Sequence, residues 1–481
     1  MIEKVRINFL FNVTIGIINT IISIFVTAYI ARVIGANNIG LYTYLVSIVS
    51  YFILFGAIGT HKYASREIAY CRDNKEEMSR VFIEVVILHT AMCSIALLVF
   101  LVSLSFSDFD YRLIIMISFF IVNEILDITW FFHGIENFKV IFKTTFVVRI
   151  IFVLALVLFV HSPEDFYAYV AIEVMYNILF NGSLWFHLHK YILKVRNLHP
   201  LRHLKESLLL FLPSIAWQIY AVLDKTMLGY LAAGTYNELS YYSLAEGIVK
   251  SFLLLGRSLT GVTAPRVANL NANSEQEEIT KTLYESYRIC WLITIPITML
   301  IFISSETIVP LYFGPGYDGV IVLMKMLSPL VIILTINGIT GEQFLVPCKY
   351  TNTQTAILFG GAFINFAVNV VLIPRYHAIG ACISTIAAEG FIAIVQLIVA
   401  NKIGVIKITK VLREGNKYFI ASSFVVAFNV TVFHFLDAIS LYHLILIIVA
   451  GLVIYFGLLI LLRDVLVMSI IKRIKAKRLS V

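Results

Sequence analysis

The sequence predicts an all-α polytopic membrane protein of about 14 transmembrane helices, built as two six-helix lobes in parallel repeat plus a C-terminal helix pair. Three observations carry that expectation. Of the 481 residues 60% are hydrophobic and 14% charged, where soluble domains average about 25% charged. The apolar residues fall into runs of membrane-crossing length, with the basic residues sorted to one side of them. A stretch of 26 residues also recurs at an offset of 200.

A soluble chain of this length would split into roughly three domains joined by polar linkers, and no linker or low-complexity tract exists here. Fourteen spans of about 22 residues use roughly 300 positions and leave short loops for the rest. That excludes a soluble enzyme, a secreted disulfide scaffold and a nucleic-acid-binding module. The net charge of +8 is spread over loops, as in membrane proteins with basic cytoplasmic loops, so no nucleic-acid partner is expected. Cys71, Cys93, Cys290, Cys348 and Cys382 form no CxxC and sit in or beside apolar runs, where cysteine acts as a small hydrophobe and not as a metal ligand.

The first apolar run, from about Ile7 to Ile30, is too long for a signal-peptide core and has no small-residue cleavage site, so it is expected to stay as the first span. Cutting the runs at charged or Gly/Pro/Asn-rich breaks places spans at 9–31, 41–60, 81–104, 112–134, 143–160 and 167–190. A second series follows at 207–233, 240–262, 285–303, 320–340, 353–373 and 378–400, and a final pair at 418–436 and 441–463. Only helices satisfy their own backbone hydrogen bonds in lipid without closing a barrel. The expected domains are an N-lobe over 1–200, a C-lobe over 201–402, and 403–481 carrying the last two spans and a basic cytoplasmic tail.

Assigning loops alternately to two sides puts 29 of the 37 Lys and Arg with the termini, and only Arg32, Arg112 and Arg375 opposite. By the positive-inside rule both termini are cytoplasmic and the number of spans is even. Arg149, Lys225, Lys250, Arg257 and Lys325 remain inside spans.

The repeat aligns 41–66 with 241–266 without a gap, and 9 of 26 pairs are identical, among them Tyr42/Tyr242, Gly56/Gly256, Thr60/Thr260 and Arg66/Arg266. Six helices separate the copies, so both halves enter the membrane from the same side, and two such lobes can rock around a central cavity in alternating access. That favours a transporter over a channel or an anchor.

An ionisable side chain at the centre of a span costs roughly 2.5–3.5 kcal/mol on insertion scales, so it is kept for a partner or a wet cavity. Glu246, Lys250 and Arg257 in the eighth span lie on one helical face. Asp224 and Lys225 sit in the outer half of the seventh. Their repeat mates, Ile24, Phe25, Val46, Ser50 and Ala57, carry no charge, which places the polar equipment in the second lobe. Glu246 and Lys250 at i,i+4 can also simply neutralise each other, and Lys225 can be an ion-pair partner. Arg257 has no acid at i±3 or i±4 and is the best candidate for holding an anion. Asp127 and Arg149, at similar depth, read as a structural pair, with substrate contact as the other reading. Lys325 lies where it can snorkel to headgroups. Glu124, Glu173 and Glu389 are acids at membrane depth and candidates for a coupling H⁺ or Na⁺. Tyr220 and Trp217 can stack on sugar faces or serve as packing.

Gly35-x₄-Gly40 has P-loop glycine spacing, but Leu41 stands where the lysine must be. With no nucleotide site, transport draws on an ion gradient, and no cofactor beyond the coupling ion is expected. Asp108-x-Asp110 imitates a glycosyltransferase metal pair on a loop too short for an active site, and His199 and His203 beside Pro200 read as solvated loop residues.

Several strings, in order, resemble the polysaccharide-repeat-unit flippases of the multidrug/oligosaccharidyl-lipid/polysaccharide exporter superfamily over nearly the whole chain. They are Arg32-Val-Ile-Gly35, Ser65-Arg-Glu-Ile-Ala69, Trp130-Phe-Phe-His-Gly-Ile-Glu-Asn-Phe138 and Leu223-Asp-Lys-Thr-Met-Leu-Gly229. Tyr241-Tyr-Ser-Leu-Ala-Glu246 through Pro265-Arg266, Phe313-Gly-Pro-Gly-Tyr317, Phe344-Leu-Val-Pro347 and Asn369-Val-Val-Leu-Ile-Pro374 complete the set. The resemblance implies a bacterial cytoplasmic-membrane protein, not an enzyme, that moves undecaprenyl-diphosphate-linked oligosaccharide from the inner to the outer leaflet, with polysaccharide polymerase or assembly proteins as possible partners. On that reading Arg257 and Lys250 hold the diphosphate, with Lys225 assisting, and the last helix pair flanks a groove for the isoprenoid. A multidrug cation exporter of the same superfamily would have twelve spans and an acidic cavity. A membrane glycosyltransferase or polymerase would need a large external loop.

Overall fold

The computed structural model describes residues 2–105, 107–232, 236–435 and 441–479; the side chains of 2–13, 15, 17, 18, 212–217, 219, 220, 254–259, 262, 433–435, 441 and 473–479 lie outside the description. The described residues form helices and connecting loops, with no strand among them.

The chain divides into two compact units, Met1–Ser240 and Tyr241–Val481. The first holds α1 (Ile2–Ile34), α2 (Ala36–Ala57), α3 (Thr60–Cys71), α4 (Lys75–Leu104), α5 (Tyr111–Leu126), α6 (Thr129–Gly134), α7 (Phe138–Phe159), α8 (Phe166–Trp185) and α9 (Leu204–Leu231). The second holds most of α10 (Asn237–Ser251), then α11 (Leu253–Ala272), α12 (Gln276–Phe313), α13 (Asp318–Leu327) and α14 (Leu330–Asn337). A π-helical stretch (Gly338–Leu345), α15 (Thr351–Lys402), α16 (Ile408–Phe435), α17 (Leu441–Leu461) and α18 (Val465–Leu479) complete it.

Every one of the predicted spans falls on a helix or a broken helix. Among the described residues, seven helices are long and apolar enough to cross a membrane by length and composition, and an eighth if the bent pair Asp318–Leu327 and Leu330–Leu345 is one span. The 52-residue α15 holds two predicted spans, because His377 inside it has φ 47° and ψ −124°. The chain reverses there: Asn365 Nδ2 donates to Ser384 Oγ at 2.9 Å, across nineteen positions of sequence. Phe363, Val102 and Val453 are 71, 61 and 68% exposed, the unpartnered apolar surface that lipid covers.

Three spans read from the sequence as unbroken helices are interrupted. Residues 36–71 are interrupted at Ile58 and Gly59, both left-handed with φ 44° and 71°. Residues 111–134 are interrupted at Asp127 and Ile128, and 237–272 at Phe252. The two repeat copies thus break at different positions, 58–59 against 252, although Val49 and Val249, and Thr60 and Thr260, are buried alike.

The core of the first unit gathers Ala64, Ile68, Phe82, Val85 and Leu184 around Trp130, Phe131 and Phe132. In the second unit α16 and α17 pack on α12. Trp291 Nε1 donates to the Val411 carbonyl at 3.1 Å, and Tyr455 Oη to that of Leu292 at 2.9 Å. Arg288 grips Glu414 with two hydrogen bonds of 2.9 and 2.8 Å, the fork geometry that makes such pairs strong. Asp110, discounted as a metal ligand, caps α5 through the Arg112 amide at 2.8 Å and accepts from Tyr167 Oη at 2.6 Å.

Asp464, fully buried in the loop between α17 and α18, ties the last helix down. It accepts from the Leu466 and Val467 amides, both at 3.0 Å, from Tyr418 Oη at 2.9 Å and from Lys417. Burial pushes its carboxyl up, but the Lys417 and Val467 donors and Tyr418 together hold it below the ordinary carboxylate range. A carboxylate depressed in the fold contributes stability that is present above its unfolded pKa of about 3.9 and is lost as pH falls through the folded value. Asp464→Asn is therefore expected to melt lower than the parent at neutral pH, with the gap closing below about pH 4. Melting curves of both proteins across that range check it, and a gap independent of pH would refute it.

Candidate functional site

The first unit carries a polar cluster where its two broken spans meet. The break after α2 frees the chain at Gly59, so α3 begins with Thr60 and His61. The break after α5 leaves Glu124 in its last turn and Asp127 as its cap. Asp127 Oδ1 accepts from the Thr129 amide at 2.7 Å, its carbonyl accepts from Trp130 Nε1 at 3.0 Å, and α6 starts there. His89 of α4 stands between them. Its Nε2 meets the Glu124 carbonyl at 2.9 Å and its Nδ1 meets Thr60 Oγ1 at 2.8 Å. His61 Nε2 faces Glu124 at 3.4 Å and Asp127 at 3.8 Å, and the His61 and His89 rings lie 5.3 Å apart. The other side of His61 borders an open pocket of about 570 Å³, lined also by Lys62, Ser65, Arg66, Thr129, Trp130 and His133.

The second unit carries a polar string along α10, α14 and α15. Lys250 Nζ donates to Glu246 Oε1 at 2.6 Å. Tyr242, fully buried one turn earlier on α10, exchanges a 2.9 Å hydrogen bond with Thr385 Oγ1 and reaches Glu246 at 3.5 Å. Glu389 follows Thr385 by one turn of α15 and accepts from Asn337 Nδ2 at 2.7 Å. Asn337 is the last residue before the π-helical stretch, a geometry concentrated at functional sites. The Glu246 side chain is 6% exposed and that of Lys250 40%, so the carboxylate is enclosed and the lysine side chain is partly exposed.

The remaining candidates fall into three groups. Asp224 is buried in the first unit within electrostatic reach of Tyr51, and Lys225 is followed by Thr226, whose hydroxyl contacts Ser47 and Tyr51 at 3.1 Å each. Glu173 lies within reach of Arg149 and Tyr169. Arg257, Tyr220 and Trp217 have side chains outside the described residues.

Lys325, near a span end, pairs with the 69% exposed Glu306 at 2.5 Å. Three expectations are corrected. Asp127 and Arg149 do not pair: Asp127 Oδ1 accepts from the Thr129 amide, while Arg149 bonds Ser23 Oγ at 2.9 Å and lies over the rings of Phe152 and Tyr176 at 5.1 and 5.0 Å. Charged groups are not confined to the second half, since the first unit has its own cluster. His203 is not solvated; it is 3% exposed and bonded to Glu84 at 2.8 Å and to Tyr63 at 2.6 Å. His61, His89 and Glu84 were missed, and the last two were findable. Each is a lone ionisable residue inside the apolar run 81–104, a functional flag at membrane depth.

Residues 5–271 match the family described as "Polysaccharide biosynthesis protein". The chain belongs to that family. It is 21% identical over 387 residues to a protein of Escherichia coli (strain K12) named "Putative O-antigen transporter", covering 79% of this chain and 92% of the relative. Its fold is similar to that of the lipid II flippase MurJ in an inward closed conformation, with a TM-score of 0.75 at 14% identity over 95% of this chain and 100% of that one. An inward-facing multidrug resistance MATE family transporter of the MOP superfamily matches with a TM-score of 0.63 at 11% identity, over 82% of this chain and 96% of that one. As a member of this polysaccharide family the chain is a multi-pass membrane protein of the transporter fold, and the proteins it matches are named as transporters and flippases, not enzymes.

Proposed function

We propose that this protein is a flippase for undecaprenyl-diphosphate-linked oligosaccharide, carrying repeat units from the inner to the outer leaflet of a bacterial cytoplasmic membrane for surface polysaccharide assembly. Both termini face the cytoplasm, and alternating access is driven by an ion gradient. The observation that carries the reading is the family match over 5–271, joined to a fold similar to a lipid II flippase. A diphosphate bearing sugars cannot cross hydrocarbon unaided, because an isolated ionised group costs tens of kcal/mol to desolvate. The chain must supply cations in a wet cavity while the isoprenoid trails in lipid. Lys250, whose side chain is 40% exposed, and Arg257 seven residues further on hold the diphosphate, Lys225 assists, and Tyr220 and Trp217 stack on sugars. Asp224, Glu246, Glu173 and Glu389 balance these cations or take the coupling ion.

Deleting the gene is expected to cause accumulation of an undecaprenyl-diphosphate oligosaccharide on the inner leaflet, identified by mass spectrometry and cleared by the wild-type chain. A deletion strain with normal lipid-linked intermediates and normal surface polysaccharide would refute the reading.

A further inference from the structure

The cluster at the broken spans of the first unit has features that select its occupant. His89 Nε2 faces a carbonyl oxygen, which only accepts, so that nitrogen carries a hydrogen. Its Nδ1 faces Thr60 Oγ1, which also lies 2.6 Å from the Ala57 carbonyl, another pure acceptor. The Thr60 proton can go to either, so Nδ1 accepts it in the neutral ring or donates to Thr60 Oγ1 when the ring binds a second proton. Both His89 nitrogens are already engaged, with the Glu124 carbonyl and Thr60, although His61, His89 and Glu124 stand close enough to suggest a metal. His61 differs. Its ring is 34% exposed on the pocket side, while Nε2 is buried without a hydrogen bond in front of two carboxylates that are 13 and 19% exposed. A proton added at that nitrogen meets Glu124 and Asp127 at once.

We propose that His61, Glu124, Asp127 and His89 form a proton-binding site, loaded through His61 from the adjoining pocket. A proton from pocket water attaches to the His61 lone pair to give an imidazolium. It can then pass from Nε2 to Glu124 Oε1, returning the imidazole to neutral and leaving a carboxylic acid beside Asp127. No other reactant is needed. The groups that set the charge here are Glu124 on α5, Asp127 at the α5–α6 break and His133 on α6, with His89 on α4 and Cys93, whose Sγ lies 3.7 Å from His89 Nε2. Lys62 and Arg66 of α3 line the pocket, and Glu206 of α9 lies within electrostatic reach of Tyr63 on α3. Because both spans break at this point, occupancy acts on two hinges, and discontinuous helices recur at the ion sites of transporters. The use of the proton to drive transport rests on the flippase reading; its binding does not.

The test uses the purified full-length chain in phospholipid nanodiscs. Proton uptake between pH 8 and 5 is measured with a pH indicator, and carboxyl protonation by infrared difference spectroscopy. H61Q and E124Q, the second close to isosteric, are each expected to take up about one proton per chain fewer than the parent. The protonated-carboxyl band is expected to vanish in E124Q and to move in pH midpoint in H61Q, with both variants eluting as the parent does on size exclusion. Equal uptake in all three proteins would overturn the proposal. So would stoichiometric binding of zinc chloride that H61Q abolishes, which would make this a metal site. The same variants are then tried in the deletion strain. If the wild-type chain fails to clear the lipid-linked intermediate there, the flippase reading falls while the proton uptake still decides the site.

Discussion

Replacing Glu84 with Ala is expected to weaken the first unit by about 3–5 kcal/mol, the loss typical when one partner of a buried charge pair is removed. Glu84 is fully buried in the third turn of α4. Its Oε1 accepts from the His199 amide at 2.7 Å, and its Oε2 from Arg202 Nε at 2.7 Å and His203 Nε2 at 2.8 Å. His203 passes the contact to Tyr63 of α3 at 2.6 Å. One carboxylate therefore holds the segment before α9 against α3 and α4. Removing it strands the buried His203 and a backbone amide, and leaves Arg202 only its 3.4 Å contact with Glu77. Glu84→Gln keeps the volume but turns one acceptor into a donor facing donors, so it is expected to recover only part of the loss. Thermal unfolding followed by tryptophan fluorescence checks this, since Trp130 and Trp185 both lie in this unit. An unchanged midpoint for Glu84→Ala would refute the clamp.

That clamp also shows where the sequence was legible and where it was not. Apolar run length located the spans but not the polar α3 or the basic α18, because a membrane core demands about twenty apolar residues whatever the tertiary contacts. It could not locate the breaks. Ile58 takes φ 44° between Gly56 and Gly59, and Asp127 ends α5 just after Glu124; His89, bonded to Thr60 and to the Glu124 carbonyl, joins the two breaks, which no periodicity carries. The Glu246–Lys250 contact was readable from i,i+4 spacing alone. The Asp127–Arg149 pairing, inferred from equal depth, failed because depth fixes height in the membrane and not which helix faces which. Histidines were the systematic gap. His203 looked solvated beside Pro200 because the acid that buries it, Glu84, is more than a hundred residues away in sequence.

Lys250→Met is expected to cut export by roughly ten- to a hundredfold, the loss of a charged hydrogen bond worth about 1.5–3 kcal/mol at 1.4 kcal/mol per tenfold. Two causes give that result, and a second substitution separates them. If Lys250 only neutralises Glu246, then Glu246→Gln in the same chain removes the stranded carboxylate, and export should return. If Lys250 holds the diphosphate, the double variant stays impaired, because the cation is still missing. The geometry favours the second outcome. Glu246 is enclosed and has the Tyr242 hydroxyl within 3.5 Å as a further donor, whereas Lys250 is 40% exposed. Glu246→Gln alone is accordingly expected to export within a few-fold of the parent. Clearance of the lipid-linked intermediate in the deletion strain, normalised to protein level, measures all three variants. Full recovery in the double variant would assign Lys250 to internal pairing and leave the diphosphate to other cations of the cavity.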